Sequence, residues 1–319
     1  MPISIKHLLR SALLLLQATV ALGCAKPPHP AQLVPGTSVT LAPPSGFSPA
    51  STFTGFMSED GRASILVAEL PAHASEAVAT LFVDEQTARR QFATRGVLVK
   101  HLESLDVEGR AVPVAIGTQN AHGQTFNKWI ALFPGSPTVM ITVQAPTDHA
   151  MKHKSAMMTL TSVKVSPPAS LEERVSALPF TVTPEPPFRI VDTLAGASAV
   201  LTAGELDTDP EGRQPLLIVA SQLSLPFGSD DLADVSDQLI AGTREIQHGT
   251  VVSRHDVMFA GIAGHRVSGH MPDGGTFHHY LALWPGQRFV RLAAILPAGS
   301  SHDVQDAVTA VAASIRFRE

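Results

Sequence analysis

G-Q-T-F-N-K-W-I-A-L-F-P-G, from Gly123 to Gly135, returns as G-G-T-F-H-H-Y-L-A-L-W-P-G from Gly274 to Gly286. A glycine, Thr-Phe, an aromatic residue, Ala-Leu, a second aromatic residue and Pro-Gly recur in register. The same 151-residue offset separates Phe126 from Phe277, Pro134 from Pro285 and Pro146 from Pro297. A match of this length without a gap marks a duplication, and two copies of one unit imply two cores. Within the stretch, Ile130 and Leu132 alternate with Trp129, Ala131 and Phe133, so both faces of one strand are apolar. Such a strand is expected to be covered on both sides and to lie in the interior of its sheet.

Outward from this strand, the first copy reads as Val39–Leu41, Thr52–Met57 and Ala63–Leu70, three short strands separated by P-P-S-G and E-D-G turns. Ser75 and Glu76 then suit a helix start. Val78, Leu81, Phe82, Ala88 and Phe92 recur at helical spacing, which predicts one helix that Gly96 ends. Val97–Leu105, Ala111–Thr118, the repeated strand and Thr138–Gln144 follow, joined by short turns. A helix over His149–Leu160 and a strand within Ser162–Val165 close the copy.

The second copy has the same order. Phe47 and Phe188, and Gly55 and Gly196, match at an offset of 141, so about ten residues were gained around D-T-D-P-E-G-R-Q. Ser229, Asp230 and Asp231 suit a capped helix start, with Leu232, Val235, Leu239, Thr243 and Ile246 as its buried stripe. Three strands, a helix, four strands and a final helix, with hairpin turns between the later strands, imply an α+β fold: an antiparallel sheet covered by helices, present twice. The boundaries expected are residues 38–166 and 180–319, with a proline-bounded linker over 167–179.

A chain of 319 residues with 44% hydrophobic residues has material for two such cores. Residues 1–23 read as an export signal: Lys6 and Arg10, then an apolar run from Ala12 to Leu22, then small residues. The run ends Ala21-Leu22-Gly23-Cys24, which resembles the bacterial lipobox. That resemblance implies cleavage before Cys24 and acylation of this cysteine, the only one in the chain. Two or more acyl chains anchor a protein stably where one does not. Residues 24–37 carry four prolines between Cys24 and Gly36 and read as an extended tether. Setting Lys6 and Arg10 aside leaves 21 basic residues against 28 acidic, a net charge of −7. With no Lys/Arg cluster longer than Arg89-Arg90, nucleic acid is not an expected partner.

With strands and helices placed, the pattern resembles the PsbP-like α/β/α sandwich family, which also contains bacterial DcrB-type and mycobacterial LpqN-type lipoproteins. The resemblance is carried by V-T-L-A-P-P-S-G-F at Val39–Phe47, T-F-T-G-F at Thr52–Phe56, A-S-I-L-V-A-E-L-P at Ala63–Pro71, Trp129 and T-S-V-K-V at Thr161–Val165. It implies two tandem sandwich domains and a binding, assembly or envelope role, with no catalytic residue to carry over.

The residues themselves carry no nucleophile elbow, zinc helix, dinucleotide loop, phosphate loop or calcium loop. Glu172-Glu173 and Asp230-Asp231 fit solvation or capping. The one local concentration is His265, His270, His278 and His279 around M-P-D-G-G. If the turn centres on Asp273-Gly274, His270 and His278 approach on adjacent strands with Asp273 at the tip, donors suited to zinc or copper. The opposing expectation is a polar surface hairpin, with no metal and no cofactor. Trp129, Tyr280 and Trp284, and Phe126 with Phe277, are expected in the core, because both copies keep large apolar residues there. The favoured expectation is a non-enzymatic binding or assembly module in the cell envelope, lipid-anchored through Cys24, in the outer membrane if the cell has one, with a protein partner. The alternative is a periplasmic metal or small-ligand binder using the histidine hairpin.

Overall fold

The computed structural model describes residues 30–70, 75–121, 123–209, 211–222, 231–284 and 288–318. In the first copy β1 (Phe47–Pro49), β2 (Gly55–Ser58), β3 (Ser64–Leu70), β4 (Val97–Val107), β5 (Arg110–Ala121), β6 (Gln124–Phe133) and β7 (Thr138–Pro146) form an antiparallel seven-stranded sheet in the order β1-β2-β3-β7-β6-β5-β4. The second copy repeats it with β8 (Arg189–Leu194), β9 (Ser198–Thr202), β10 (Leu216–Gln222), β11 (Thr250–Phe259), β12 (Ile262–His270), β13 (Thr276–Trp284) and β14 (Arg288–Leu296), in the order β8-β9-β10-β14-β13-β12-β11. The protein is α+β, two tandem domains each built on an antiparallel sheet.

The turns explain the meander. Glu108-Gly109 joins β4 to β5 and Ala260-Gly261 joins β11 to β12, and all four residues have positive φ. A two-residue loop of that kind matches the right-handed twist of the strands it connects, which is why glycine stands second in each. The pairs Val107↔Arg110 and Phe259↔Ile262 close the two hairpins.

Helices cover both faces. In the first copy α1 (Glu85–Ala93) supplies Ala88 and Phe92 to a core that includes Ala115, Ile130 and Leu132. On the opposite face α2 (His153–Thr161) supplies Ala156 and Leu160 against Val114, Trp129, Ala131 and Phe133. The repeated strand β6 is therefore interior, bonded to β5 and β7 and buried on both faces at its end, as its apolar alternation predicts. A short linker helix, α3 (Leu171–Ser176), has a capping box between Ser170 and Glu173, so Glu173 has a structural role. The second copy mirrors this arrangement: α4 (Leu232–Ala241) packs on Leu281 and Phe289, and α5 (His302–Ser314) on Tyr280, Ala282 and Leu292.

The ends of each copy are tied together. Val39–Leu41 pairs with Lys164–Val165, and Phe180–Thr181 pairs with Arg316–Phe317. Between the copies, Arg174 of α3 reaches Asp192 and Thr193 of β8. Thr54 Oγ1 donates to the Gly196 carbonyl at 3.0 Å.

Several sequence expectations change. The tether expected over residues 24–37 ends sooner, because Gln32–Leu33 pairs with Thr40–Leu41 and Val34 is fully buried in the first core. The helix from Leu232 stops at Ala241, so Thr243 and Ile246, expected on its stripe, are buried from the segment that follows it. The single helix from Ser75 is broken into Ser75–Ala79, a 3-10 turn over Thr80–Phe82, and α1. Asp84 interrupts it with extended backbone, and its carboxylate accepts the Thr87 amide at 2.7 Å, which restarts the helix. The helix expected from His149 begins at His153, because the His149 ring accepts the Met151 amide instead. In the second copy Asp231 is the N-cap, accepting the Ala233 and Asp234 amides; Ser229 and Asp230 lie outside the described residues.

Candidate binding groove

The two copies of the repeated strand differ where their covering loops differ. After α4 the chain runs through residues 242–249 before β11 begins, and this segment lowers Ile246 onto the sheet, in one cluster with Val267, Met271 and Phe277. After α1 only residues 94–96 precede β4. No counterpart of Ile246 exists there, so α1 covers Ile130 and Leu132 while the first half of β6 stays open. Phe277 is fully buried, and Phe126 at the matching position is partly exposed. The expectation that Phe126 is core is therefore corrected, the reason being the shorter loop.

The open surface is the floor of a groove of about 900 Å³. Because alternate residues of a strand share a face, Gln124, Phe126 and Lys128 of β6 line it together. Gln119 of β5 and Gln144 of β7 flank them, paired across the sheet with Phe126 and Lys128 respectively. Leu66 and Ser64 of β3 and Met57 of β2 extend the floor, and Phe53 and Thr54 form its near wall. The far wall belongs to the second copy: Ala195, Ala197, Ser221 and Gln222.

Lys128 is the electrostatic feature of this surface. Its partner across β5 is Gly117, whose missing side chain is dictated by the backbone of β4, since a Cβ there would lie 2.3 Å from the Leu98 carbonyl oxygen. Burial alone pulls the Lys128 ammonium from its ordinary value of 10.5 down to about 8. Among the described residues it has no hydrogen bond or ion pair. The other cation of the lining, Arg62, is engaged with Asp148 at 2.7 Å. On the far wall the Ser221 hydroxyl is buried and also has no partner among the described residues. The Ser221 hydroxyl is closed off from solvent, so the polar group offered to an occupant of the groove is the unpaired Lys128 ammonium. A second hollow of about 710 Å³, beside α2 and lined by Pro43, Pro44, Met157 and Met158, presents no buried charge.

The histidine hairpin is arranged differently from the metal expectation. Strand register places His270 opposite Thr276 and His278 opposite Ser268. His278 Nδ1 lies 2.8 Å from Ser268 Oγ and 3.3 Å from the Arg266 guanidinium. Burial, and then Arg266, push its pKa down to about 4. Asp273 accepts the Gly275 amide at 3.0 Å and so shapes the turn. His265 faces Asp256 at 3.2 Å. Among the described residues no three His, Cys, Asp or Glu side chains are grouped to hold a metal ion. His279, on the other face, is fully buried with its Nδ1 2.8 Å from Ser236 Oγ; burial, Arg291 and His265 lower its pKa to about 3. Cys24 lies outside the described residues.

Of the aromatic residues expected in the core, Trp129 and Tyr280 are buried, and the indole N–H of Trp129 donates to His153 Nδ1 at 3.2 Å. Trp284 is only half-buried, at the end of β13, where its ring lies 4.9 Å from that of Phe317. The residue that sequence reasoning passed over is Lys128. Its signal was a lysine inside an otherwise apolar interior strand, opposite a histidine in the second copy.

No family model matches the sequence, and no curated protein matches it. Among solved structures, the chain is similar to cyanobacterial PsbP from Synechocystis, at 12% identity and a TM-score of 0.30, over 40% of this chain and 87% of that one. It is also similar to the immunity protein TplEi of the type VI secretion system of Pseudomonas aeruginosa, complexed with an "L" peptide. That match has 10% identity and a TM-score of 0.28, over 86% of this chain and 99% of that one. A third similarity is to a chain of the Tle4–Tli4 complex, at 12% identity and a TM-score of 0.29, over 84% of this chain and 95% of that one.

Proposed function

We propose that this protein is a non-catalytic binding module of the cell envelope that seats a segment of a partner protein in the groove between β6 and the second copy. The observation that carries this reading is the bare half of β6, with Lys128 left without a partner among the described residues along a groove of about 900 Å³. A volume of this kind, apolar with a few placed polar groups and lying at a domain boundary, is where binding sites are usually built. Its described lining offers hydroxyls, amides and the Lys128 ammonium set among apolar side chains, a composition suited to recognising a partner segment.

The same reading places the module at a membrane, held by acyl chains on Cys24, with the residues between it and the strand that starts at Gln32, 25–31, as a spacer of roughly 20 Å at most at about 3.1 Å per residue. In a bacterium with two membranes, the outer membrane is the proposed location, because Ala25 follows the cysteine. Mass spectrometry of the mature N-terminus tests the anchor: an acylated Cys24 is expected, and a free amine at another residue refutes it.

The groove is tested with a photocrosslinking amino acid at Gln124, an exposed lining residue, and as a control at His255, an exposed residue of β11. In native membranes Gln124 is expected to give a discrete crosslinked species that His255 does not. Equal patterns at both positions, or none at Gln124, would remove the groove as the binding surface.

A further inference from the structure

We infer that the segment seated in the groove is an extended, acidic stretch of the partner, with one Asp or Glu carboxylate received by Lys128. This rests on the reading of the groove as the binding site and goes on to name what fills it.

Three observations lead there. The first is charge. Lys128 and Arg62 are the charged residues in the described lining, both cationic, and Arg62 already holds Asp148 with its guanidinium 2.7 and 2.8 Å from the two carboxylate oxygens. One positive charge, on the floor, is left without a counter-ion. A partly buried ammonium is costly until an anion meets it, so a ligand that brings a carboxylate is favoured over one that is neutral or basic. The second is shape. From Met57 on β2 to Gln119 on β5 the groove crosses β3, β7 and β6. Four inter-strand steps of about 4.8 Å span roughly 19 Å, which an extended chain at about 3.3 Å per residue covers with about six residues. A single small carboxylate would leave most of that length empty. The third is the chemistry on either side of Lys128. Phe126, Leu66, Met57 and Phe53 offer apolar contact, and the amides of Gln119, Gln124 and Gln144 offer partners for a backbone. The segment that fits is thus an acidic residue flanked by apolar ones.

Lys128 also explains why the two copies diverge at this position. The corresponding His279 is fully buried, holds Ser236 and is neutral, which suits a closed core. A lysine there would be intolerable, whereas in the open copy it stays hydrated until a ligand arrives.

The test uses the full chain and a random heptapeptide library displayed on phage. Selection is expected to enrich peptides with an Asp or Glu next to apolar residues. Their affinity is expected to fall about ten- to a hundredfold on Lys128→Gln, the loss of one charge-assisted hydrogen bond, and to be largely kept by Lys128→Arg. Replacing the peptide acid by its amide should give the same loss and no further loss in Lys128→Gln. Gln144→Trp, which fills the groove beside Lys128, should abolish binding. Melting curves of every variant check the fold, and Lys128→Gln is expected to melt no lower than the parent. Enriched peptides that vanish with Gln144→Trp but carry no acid and ignore Lys128→Gln would overturn the acidic assignment and leave the groove standing. Peptides indifferent to Gln144→Trp, or no enrichment at all, would overturn both.

Discussion

β6 and β13 carry the same repeated stretch and end in different surroundings. Each carries Thr-Phe, a polar pair, an aromatic residue and Ala-Leu, each is interior to its sheet, and each is sealed at its far end by a helix. At the near end β13 is roofed by Ile246 and holds a fully buried Phe277 and His279, while β6 is roofless and presents Phe126 and Lys128 to a groove. A few residues more or less in the loop after the first long helix decide which outcome a copy has. The scaffold is the same in both copies, and a difference outside it leaves one of them open as a groove.

The comparison can be broken most sharply by truncating the matching phenylalanines. Phe277→Ala is expected to cost about 3–5 kcal/mol, because it opens a cavity among Val267, Met271 and Ile246. Phe126→Ala, at a partly exposed position, should cost about 1 kcal/mol and act on binding instead. Chemical unfolding of the two variants measures this, and equal losses would mean that Phe126 is core after all.

Lys128→Met should stabilise the free protein, by about 1–3 kcal/mol at pH 7, since a pKa of about 8 against 10.5 in the unfolded chain is a standing desolvation cost. The sign follows from proton counts. Between pH 8 and 10.5 the unfolded chain binds the proton that the folded chain has released, so wild-type stability rises with pH across that window. Lys128→Met should lack that rise. A stabilised variant that no longer binds is the signature of a functional residue, and a destabilised one would make Lys128 structural.

In the second copy His279 and His278, held down to about 3 and about 4, stay neutral in the fold while their unfolded counterparts protonate below about 6.5. The second copy should therefore lose stability as pH falls from 6.5 towards 3. His279→Gln should flatten part of that fall, measured by urea midpoints at pH 7 and 5. The smallest effect is expected at the contact between the copies: Thr54→Ala removes one hydrogen bond to the Gly196 carbonyl, worth about 1 kcal/mol, and loosens a groove wall. Added hydrogen exchange confined to residues near Thr54 and Gly196 would register it.

Much of the fold was legible because it follows from periodicity and turns. The alternation of Ile130 and Leu132 with Trp129, Ala131 and Phe133 marked an interior strand, and the short turns between the later strands marked hairpins. The break at Asp84 was not legible, since the apolar spacing continues across it and only the carboxylate's bond to the Thr87 amide reveals the restart. The partners within the histidine hairpin were not legible for a similar reason. Residue proximity in sequence suggested convergence, but strand register set His278 on Ser268 and gave Asp273 to the turn. Lys128 escaped notice because a lysine reads as surface, and its half-burial depends on which loop covers the sheet, a property of residues 94–96 and 242–249 that no local pattern announces. The two hairpins also close with registers two residues apart, Phe126 facing Pro146 and Phe277 facing Ile295, although the sequences match without a gap.

The most direct test of the divergence between the copies is footprinting of the lysines with an acetylating reagent at pH 8, read by mass spectrometry with and without a selected heptapeptide. The account predicts that Lys128 is acetylated in the free protein and protected by the peptide, while exposed Lys152 and Lys154 are unchanged. Lys128 acetylated to the same extent in both samples would contradict it.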